Sequence, residues 1–313
     1  MNFQQLRYVR ETVRQGLNLT EAAAKLFTSQ PGVSKQIREL EDELGVAIFV
    51  RRGKRIVSLT APGEQVLKLA ERVLDEADNL KRVASEFRDR EAGTFSIATT
   101  HTQARYALPR AVSEFRKRYP KVHLSLHQGN PQQIASMVID GTADVGVATE
   151  ALAGYPGLLA LPAYSWSHCV LVPPAHPLLR APALTLEALA RFPIVTYEAA
   201  FTGRTHIDEA FIAKGLTPDI VLAAADSDVI KAYVELGLGV GIVASMAYDA
   251  DRDRALRRID AAHLFPTNTS RVAVKRGIFL RGFAYEFLEL FSPRLSRRSV
   301  ERALKGGQEM YEL

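Results

Sequence analysis

Residues 20–44 constrain the fold more than any other stretch, because two short helical patterns lie there on either side of a tight break. The first begins at Thr20, whose hydroxyl suits a helix N-cap, and continues with small apolar residues that let another helix pack closely. The second begins near Ser29 and Pro31, residue types favoured at a helix start. Its apolar residues recur at spacings of 4, 3 and 4, at Val33, Ile37, Leu40 and Leu44. These patterns predict a helix-turn-helix with a buried stripe on the second helix.

The polar residues of the second helix fall on its other faces, near its N-terminal half. Recognition helices present such residues to base edges and phosphates in the major groove of DNA. The candidate DNA-binding residues on this helix are Gln30, Ser34, Lys35 and Arg38. For the helical pattern alone, an ordinary pair of packed helices is the alternative.

A basic hairpin pattern follows at residues 49–60, where two short apolar runs flank a turn at Gly53. The pattern is typical of a β-hairpin wing, and clustered positive charge suits a phosphate backbone. The candidate DNA-binding residues of this wing are Arg51, Arg52, Lys54 and Arg55. A solvated basic turn is the alternative, which the neighbouring helix pair disfavours. Residues 1–60 hold 10 Lys and Arg against 6 Asp and Glu, so they carry most of the net charge of +5.

The composition, with 47% hydrophobic and 24% charged residues, is that of a globular chain long enough for two or three domains. The sequence has one cysteine, Cys169, which excludes a disulfide framework. Cys169 lies in an apolar run, so it is predicted to be a core residue. The N-terminal residues lack the pattern of a signal peptide. No stretch approaches the ~18 apolar residues of a membrane helix. We therefore predict a cytoplasmic protein with no membrane partner.

A heptad pattern occupies residues 61–90, with charged residues on the other faces. Its apolar positions are Val66, Ala70, Val73, Ala77, Leu80, Ala84 and Phe87. A repeat sustained over three heptads favours a coiled-coil seam. We predict a linker helix that dimerises through Val66, Val73, Leu80 and Phe87. The alternative is a monomeric linker packed on its own domain.

From Thr94 onward the pattern alternates between strand and helix, which predicts parallel β-α-β units. A similar unit recurs later in the chain, and a last strand and helix return to the first. Two α/β lobes with a cleft between them follow, lobe I at about 93–163 and 268–313 and lobe II at about 164–267. Ligands in such sheets bind at the carboxyl ends of strands and at helix N-termini.

Hydroxyl and amide side chains lie at those strand ends. They are Thr100, Thr102, Gln103, Thr149 and Thr202. With backbone N–H groups at helix starts, such side chains make an anion site that needs no formal charge. The alternative is that each threonine is a plain N-cap. The sequence contains no phosphate loop, no HExxH motif and no GxSxG motif, so we predict neither a catalytic nor a metal site and no enzyme activity.

The first 63 residues resemble the LysR-type transcriptional regulators, and the resemblance extends over the whole chain. The residues that carry it are Ala22–Ala24, Ser29–Pro31, Val33, Ser34, Gln36, Ile37, Leu40, Glu41, Leu44, Gly45, Phe49, Arg51, Leu59, Thr60 and Gly63. It implies an α/β chain with a winged helix-turn-helix at 1–60, a linker helix at 61–90 and a two-lobed effector-binding domain of periplasmic-binding-protein type at 91–313. It also implies double-stranded promoter DNA and RNA polymerase as partners, and a homodimer that assembles to a homotetramer.

Within that family the chain most resembles the CysB/Cbl-like regulators of sulfur assimilation, through the run TTHTQARY at residues 99–106. The resemblance implies that the five strand-end residues hold a sulfate-like anion and that Trp166 lines the site, although a core anchor is an alternative for Trp166. It implies N-acetylserine or O-acetylserine as inducer if the chain is CysB-like, and sulfate or adenosine phosphosulfate if the chain is Cbl-like. No cofactor is expected. A two-lobed solute-binding protein without a regulatory role is the alternative function.

Overall fold

The structure is a computed structural model that describes residues 1–53 and 55–306. It divides into two compact units, Met1–Phe87 and Arg88–Leu313. Lys54, one of the predicted DNA-binding residues, lies outside the described residues. Within the described ranges, no helix is both long enough and apolar enough to cross a membrane.

The first unit consists of three short helices, a two-stranded hairpin and a long helix. These elements are α1 (Phe3–Arg14), α2 (Leu19–Lys25), α3 (Gln30–Leu44), β1 (Phe49–Arg52), β2 (Arg55–Leu59) and α4 (Ala61–Arg88). Strands β1 and β2 pair antiparallel, with Gly53 at positive φ in their turn. The element order confirms the predicted winged helix-turn-helix.

The helix boundaries of α2 and α3 follow from their caps. The prediction that Thr20 caps α2 was wrong, because Asn18 accepts from the backbone N–H groups of Thr20 and Glu21 at 3.0 and 3.3 Å. The cap predicted for α3 is confirmed, since the Ser29 hydroxyl accepts from Gly32 N at 3.3 Å.

The buried face of α3 differs from the predicted stripe at one position. Val33, Ile37 and Leu40 are fully buried, but Leu44 is 38% exposed and its predicted burial was wrong. The helix ends there, because Gly45 adopts a left-handed conformation with φ 68°. The next buried residue on this face is instead the carboxylate of Glu41.

Helix α4 packs on the first unit through only part of its predicted seam. Ala70 is buried and Val66 is partly buried against the core of this unit, together with Leu74, which was not predicted. The later seam residues, Val73, Leu80 and Phe87, are 43, 71 and 77% exposed. The first half thus matches the monomeric alternative, while the second half presents apolar residues to solvent. Dimerisation through these residues stays a prediction.

The second unit contains two five-stranded sheets, and each is the centre of one lobe. The elements of lobe I are β3 (Ala92–Thr99), α5 (Leu108–Arg118), β4 (Lys121–Gln128), α6 (Pro131–Ile139), β5 (Val145–Ala148), β6 (Leu158–Trp166), β12 (Asn268–Lys275), α10 (Gly282–Phe291) and α11 (Arg297–Leu304). Its strand order is β4-β3-β5-β12-β6, with β12 antiparallel to both of its neighbours.

Lobe II has the strand order β11-β7-β10-β8-β9. Its elements are β7 (His168–Val172), α7 (Leu186–Leu189), β8 (Ile194–Tyr197), α8 (Thr202–Ala213), β9 (Ile220–Ala224), α9 (Ser227–Glu235), β10 (Val240–Ala244) and β11 (Arg257–Asp260). The chain crosses between the lobes twice, from β6 to β7 and from β11 to β12. The predicted two-lobed α/β architecture is confirmed.

Two details of the second unit differ from the predicted pattern. The helix expected at about 103–118 begins with a π-helical turn at Gln103–Ala107, and α5 follows it. Such turns are frequent at functional sites. The basic segment after α10 forms a further helix, α11, which was not predicted. Cys169 is buried as predicted, and burial raises the pKa of its thiol to about 12.

Candidate functional site

A cavity of about 30 Å³ lies between lobe I and lobe II, at the carboxyl ends of β3, β5, β6, β8 and β10. Its ten lining residues are all neutral. They are Thr100, Thr102, Gln103, Thr149, Trp166, Tyr197, Phe201, Thr202, Gly203 and Ala244. The structure therefore brings all six predicted effector-site residues to one place, where α/β folds commonly bind ligands. We call it the interlobe cavity.

Hydroxyl groups join the two lobes across the interlobe cavity. Thr149 of lobe I donates from Oγ1 to Oγ1 of Thr202 in lobe II at 2.6 Å. The Oγ1 atom of Thr102 lies 3.4 Å from Oγ of Ser227, which is also in lobe II. Thr100 is buried, with 7% of its surface exposed. Because these contacts are neutral hydroxyl pairs, a small ligand with hydrogen-bonding atoms can exchange for them.

The helix starts at the cavity lack side-chain caps among the described residues. Thr102 and Thr149 occupy N-cap positions, yet neither hydroxyl bonds to the turn that follows it. The plain N-cap alternative therefore does not describe them. The N-cap of α8 is Phe201, which has no capping atom, and α8 begins at Thr202 on the cavity wall. An uncapped start of a twelve-residue helix attracts an anion.

Gly203 lets α8 begin close to the cavity floor. A Cβ atom at this position would lie 3.2 Å from Nε2 of His168 and 3.3 Å from the Trp166 ring. Burial, followed by the nearby His206, lowers the pKa of His168 to about 3, so this imidazole stays neutral at neutral pH. The cavity floor thus carries no cation.

Tyr197 orders the wall of the cavity in lobe II. Its hydroxyl oxygen accepts from Ala244 N at 2.9 Å and lies 2.7 Å from Ser227 Oγ. Burial raises the pKa of Tyr197 to about 12, so its hydroxyl stays protonated at neutral pH. Hydroxyl contacts therefore run from Tyr197 through Ser227 to Thr102 at the cavity.

Two residues behind Gln103 were not predicted. Gln103 is almost completely buried, with 1% exposed, and its amide nitrogen donates to Ser270 Oγ at 2.9 Å. The Tyr164 hydroxyl donates to the Gln103 amide oxygen. Ser270 and Tyr164 face each other in the register of β12 and β6. Only the pairing of distant strands reveals them, and the sequence pattern of neither strand marks them.

A second group of polar residues joins the lobes beside the cavity, and sequence reasoning also missed it. This latch cluster consists of Tyr106, Asp228, Lys231 and Asp253. The buried Lys231 ammonium contacts the Tyr106 hydroxyl at 2.9 Å and Asp253 at 3.0 Å, and Tyr106 donates to Asp228. Burial alone lowers the pKa of Lys231, but its hydrogen bonds with Tyr106 and Asp253 outweigh this effect and raise it. Lys231 is therefore charged at neutral pH.

His101, Asp226 and Asp228 offer ligand atoms within 4.8 Å of one another. Their surroundings favour ion pairs over a metal ion. Asp228 lies 3.2 Å from Lys231 and 3.5 Å from Arg105, and Asp226 caps α9 by accepting from Val229 N. The carboxylates at this point are thus already neutralised or hydrogen-bonded.

The candidate DNA-binding residues on α3 lie along one accessible side of the helix. Lys35 and Arg38 are exposed, while Gln30 and Ser34 are partly buried. Lys35 lies 3.7 Å from Glu39 in an exposed pair. An ion pair of this kind contributes about 0–1 kcal/mol, so it does not prevent Lys35 from binding phosphate.

Arg51 differs from the other predicted wing residues. Its guanidinium pairs with Glu41 at 2.7 Å, and only 24% of its side chain is exposed. Glu41 also accepts from the backbone N–H groups of Ile48 and Phe49 at 2.8 and 3.0 Å. These bonds attach the wing to α3. Arg52 and Arg55 are exposed in the hairpin.

Phe27 was not predicted as a surface residue. It is 98% exposed and has a positive φ of 51°, in the turn between α2 and α3. A left-handed conformation is rare for a bulky side chain. The turn therefore holds an aromatic ring outside the core beside the start of α3. Apolar contacts of this kind suit thymine methyl groups.

Comparison with known proteins gives matches over both units. The family model described as "Bacterial regulatory helix-turn-helix protein, lysR family" matches residues 3–64, and "LysR substrate binding domain" matches residues 88–296. The chain is 56% identical to the HTH-type transcriptional regulator SsuR of Burkholderia cenocepacia over 97% of this chain and 99% of that one. It is also 56% identical to the regulator CysB of the same organism, over the full length of both.

Among solved structures, the cofactor-binding domain of the Cbl transcriptional regulator is similar in both fold and sequence. The TM-score is 0.67 and the identity is 47%, over 69% of this chain and 95% of that one. The relatives are transcriptional regulators and not enzymes.

Proposed function

The chain belongs to the LysR family of bacterial transcriptional regulators, and from this premise we propose that a small anionic effector in the interlobe cavity controls its action on promoter DNA. The observation that carries the proposal is the cavity itself, where neutral hydroxyl and amide groups of both lobes meet the uncapped start of α8. Double-stranded promoter DNA is the proposed macromolecular ligand, and RNA polymerase is a proposed partner.

We propose sulfur assimilation as the regulated process. The regulators at 56% identity carry the names SsuR and CysB, and the similar solved domain is that of Cbl. The proposed effectors are a sulfate-like anion, N-acetylserine or O-acetylserine, or adenosine phosphosulfate. Each of them presents oxygen atoms that accept hydrogen bonds from threonine hydroxyls and backbone N–H groups.

A neutral site suits such an anion for a physical reason. Hydrogen bonds to charged groups are stronger than those between neutral groups, at about 1.5–3 kcal/mol each. Several of them, together with the start of α8, stabilise a buried anion without a fixed cation. A site without a fixed cation has little long-range attraction for anions in general. Its selectivity therefore depends on whether the oxygen atoms of the ligand match the positions of the hydrogen-bond donors.

Effector binding acts on the contacts between the lobes. The Thr149–Thr202 hydrogen bond joins lobe I to lobe II across the cavity, so an anion that accepts from both hydroxyls replaces a direct contact with a bridged one. The relative population of lobe arrangements then depends on the ligand. Coupling energies between sites of this kind are typically about 1–3 kcal/mol, enough to change promoter occupancy several-fold. The proposed functional form is a homodimer, joined through the exposed half of α4, that assembles to a homotetramer.

Thr100→Val is the test of the effector site. The change removes a buried hydroxyl and keeps the shape of the side chain, so we expect at least a tenfold loss of sulfate or N-acetylserine affinity by calorimetric titration. DNA affinity without effector should be unchanged. Thr94→Val, at an exposed position of β3, the strand that Thr100 directly follows, is the matched control. Unchanged effector affinity in Thr100→Val would remove this hydroxyl from the site.

Arg38→Ala tests the DNA-reading surface. If the exposed Arg38 side chain binds a phosphate, its loss should weaken binding to duplex DNA and reduce the slope of log affinity against log salt by about 0.9. Fluorescence anisotropy titrations at several salt concentrations measure both quantities. Arg118→Ala, on the surface of the second unit, serves as a charge-matched control. Equal slopes for Arg38→Ala and the unmodified chain would exclude a phosphate contact.

A further inference from the structure

We propose that Ser270 is a positioning residue of the effector site, because its one hydroxyl group holds both the Gln103 amide and the Trp166 ring in place at the cavity wall. The inference rests on the proposed function of the interlobe cavity and assigns a role to a residue that does not line it. Ser270 lies on β12 and is fully buried.

Ser270 accepts two hydrogen bonds at its single oxygen atom. The donors are Gln103 Nε2 at 2.9 Å and Trp166 Nε1 at 3.1 Å. Both donor residues line the interlobe cavity, on its lobe I side. One buried hydroxyl therefore joins two side chains of the cavity wall.

The Tyr164 hydroxyl contacts the other end of the same amide. It donates to the Gln103 amide oxygen and also lies 3.8 Å from Met246 Sδ. Tyr164 is opposite Ser270 in the register of β12 with β6, so the sheet itself places the two hydroxyl groups that contact Gln103.

These contacts hold the Gln103 amide at the cavity wall. Ser270 also accepts from Trp166, so the loss of its hydroxyl would release two lining residues of the interlobe cavity at once. With its oxygen bound to Tyr164 and one N–H bound to Ser270, the amide retains one further N–H group, which can donate to an anion. Ser270 thus positions a donor of the effector site without contacting the ligand.

The single tryptophan of the chain makes this arrangement measurable. Trp166 is the only tryptophan in the sequence, so the intrinsic emission of the full chain reports directly on the indole bound to Ser270. In Ser270→Ala, we expect the emission of the free protein to change and the sulfate affinity to fall at least tenfold, because the Gln103 amide loses the contact that holds this donor at the cavity.

Two further variants separate positioning from a general loss of stability. Tyr164→Phe removes the donor to the Gln103 oxygen but leaves the Ser270–Trp166 bond, so it should weaken sulfate binding without changing the emission. Ser292→Ala removes another buried hydroxyl of lobe I, one that donates to the Ala163 carbonyl at 2.8 Å, and should change neither quantity. Tyr164→Phe also tests the positioning of Gln103 should Ser270→Ala not fold.

The outcomes distinguish the two levels of the proposal. Calorimetric titration of the full chain with sulfate, and with N-acetylserine as a second probe, first establishes binding to the unmodified protein. O-acetylserine and adenosine phosphosulfate are titrated in the same way. If none of the four ligands binds, the proposed effector site is overturned and the inference falls with it. If the unmodified chain binds but Ser270→Ala and Tyr164→Phe bind equally well, the positioning role of Ser270 is overturned and the effector site stands.

Discussion

Gly63→Ala should unfold or strongly destabilise the first unit and so remove DNA binding, while the second unit keeps its effector affinity. A Cβ atom at position 63 would lie 2.0 Å from the carbonyl oxygen of Ile48. This neighbour is backbone and cannot rotate away. The Thr60 hydroxyl fixes it further, because it accepts from Gly63 N at 2.9 Å and donates to the carbonyl of Ala47. The start of α4 therefore cannot move outward without breaking these bonds.

The expected cost is at the upper end of the range for overpacking. Inserted methyl groups cost about 1–3 kcal/mol and occasionally more where nothing can yield, out of a total stability of about 5–15 kcal/mol for a domain. Amide hydrogen exchange on the full chain measures the loss separately for residues 1–87 and 88–306. Gly154→Ala is the control, since nothing lies within 4 Å of a Cβ at that position. Equal protection in Gly63→Ala and the unmodified chain would contradict the clash.

In the helix-turn-helix, apolar periodicity predicts most of the buried residues of α3 but not all of them. Val33, Ile37 and Leu40 are buried as their spacing predicts. Periodicity could not predict that Leu44 is exposed while Glu41 is buried, because Glu41 owes its burial to backbone N–H groups and an arginine several residues further along the chain. A buried carboxylate needs such partners, and they exist only once the wing has folded.

Some residues at the interlobe cavity could likewise be predicted from the sequence, and others could not. Its threonines were predictable, because each follows a buried strand, and carboxyl ends of parallel strands meet at one edge of a sheet. Tyr164 and Ser270 were not, because they belong to β6 and β12, which are about a hundred residues apart and pair antiparallel. Tyr106 and Lys231 of the latch cluster likewise meet only across the lobes. The local sequence pattern thus predicts residues at the carboxyl ends of parallel strands. It does not predict residues that meet only through the pairing of distant strands or through contact between the lobes.

The linker helix is an intermediate case. Its length and its apolar positions were predicted, but the heptad does not distinguish residues that pack on their own unit from residues that remain available. Ala70 and Leu74 pack inward on the first unit, while Leu80 and Phe87 remain exposed. A heptad and a helix packed on a small domain share the same periodicity over two turns. Only the apolar positions that lie beyond the part of α4 packed on the first unit, Leu80 and Phe87, support the prediction of a dimer.

Lys231→Met should lower the free energy of unfolding of the second unit by about 3–5 kcal/mol, which is the usual cost of removing one partner of a buried ion pair. Lys231 and Asp253 each have only 9% of their side chains exposed and lie 3.0 Å apart. Without the ammonium group, the Asp253 carboxylate is left in the interior with a backbone N–H from Asp249 as its remaining partner in the latch region. Tyr106 also loses its contact with Lys231, so the lobes lose a direct link.

An exposed ion pair provides the control for this effect. Arg252→Met breaks an exposed pair with Asp249 and should cost at most about 1 kcal/mol. The double variant Lys231→Met with Asp253→Leu should recover more than half of the loss, because no charge then remains buried.

The stabilisation by Lys231 should not depend on pH below about pH 9. Hydrogen bonds raise the pKa of Lys231 in the folded state despite burial. Its contribution to stability is therefore complete below the pKa of about 10.4 in the unfolded state, and declines only as the pH rises through the raised pKa of the folded state. Urea denaturation at pH 7 and pH 9 should therefore give the same difference between Lys231→Met and the unmodified chain, and a difference below about 1 kcal/mol at both would show that the pair is not buried in solution.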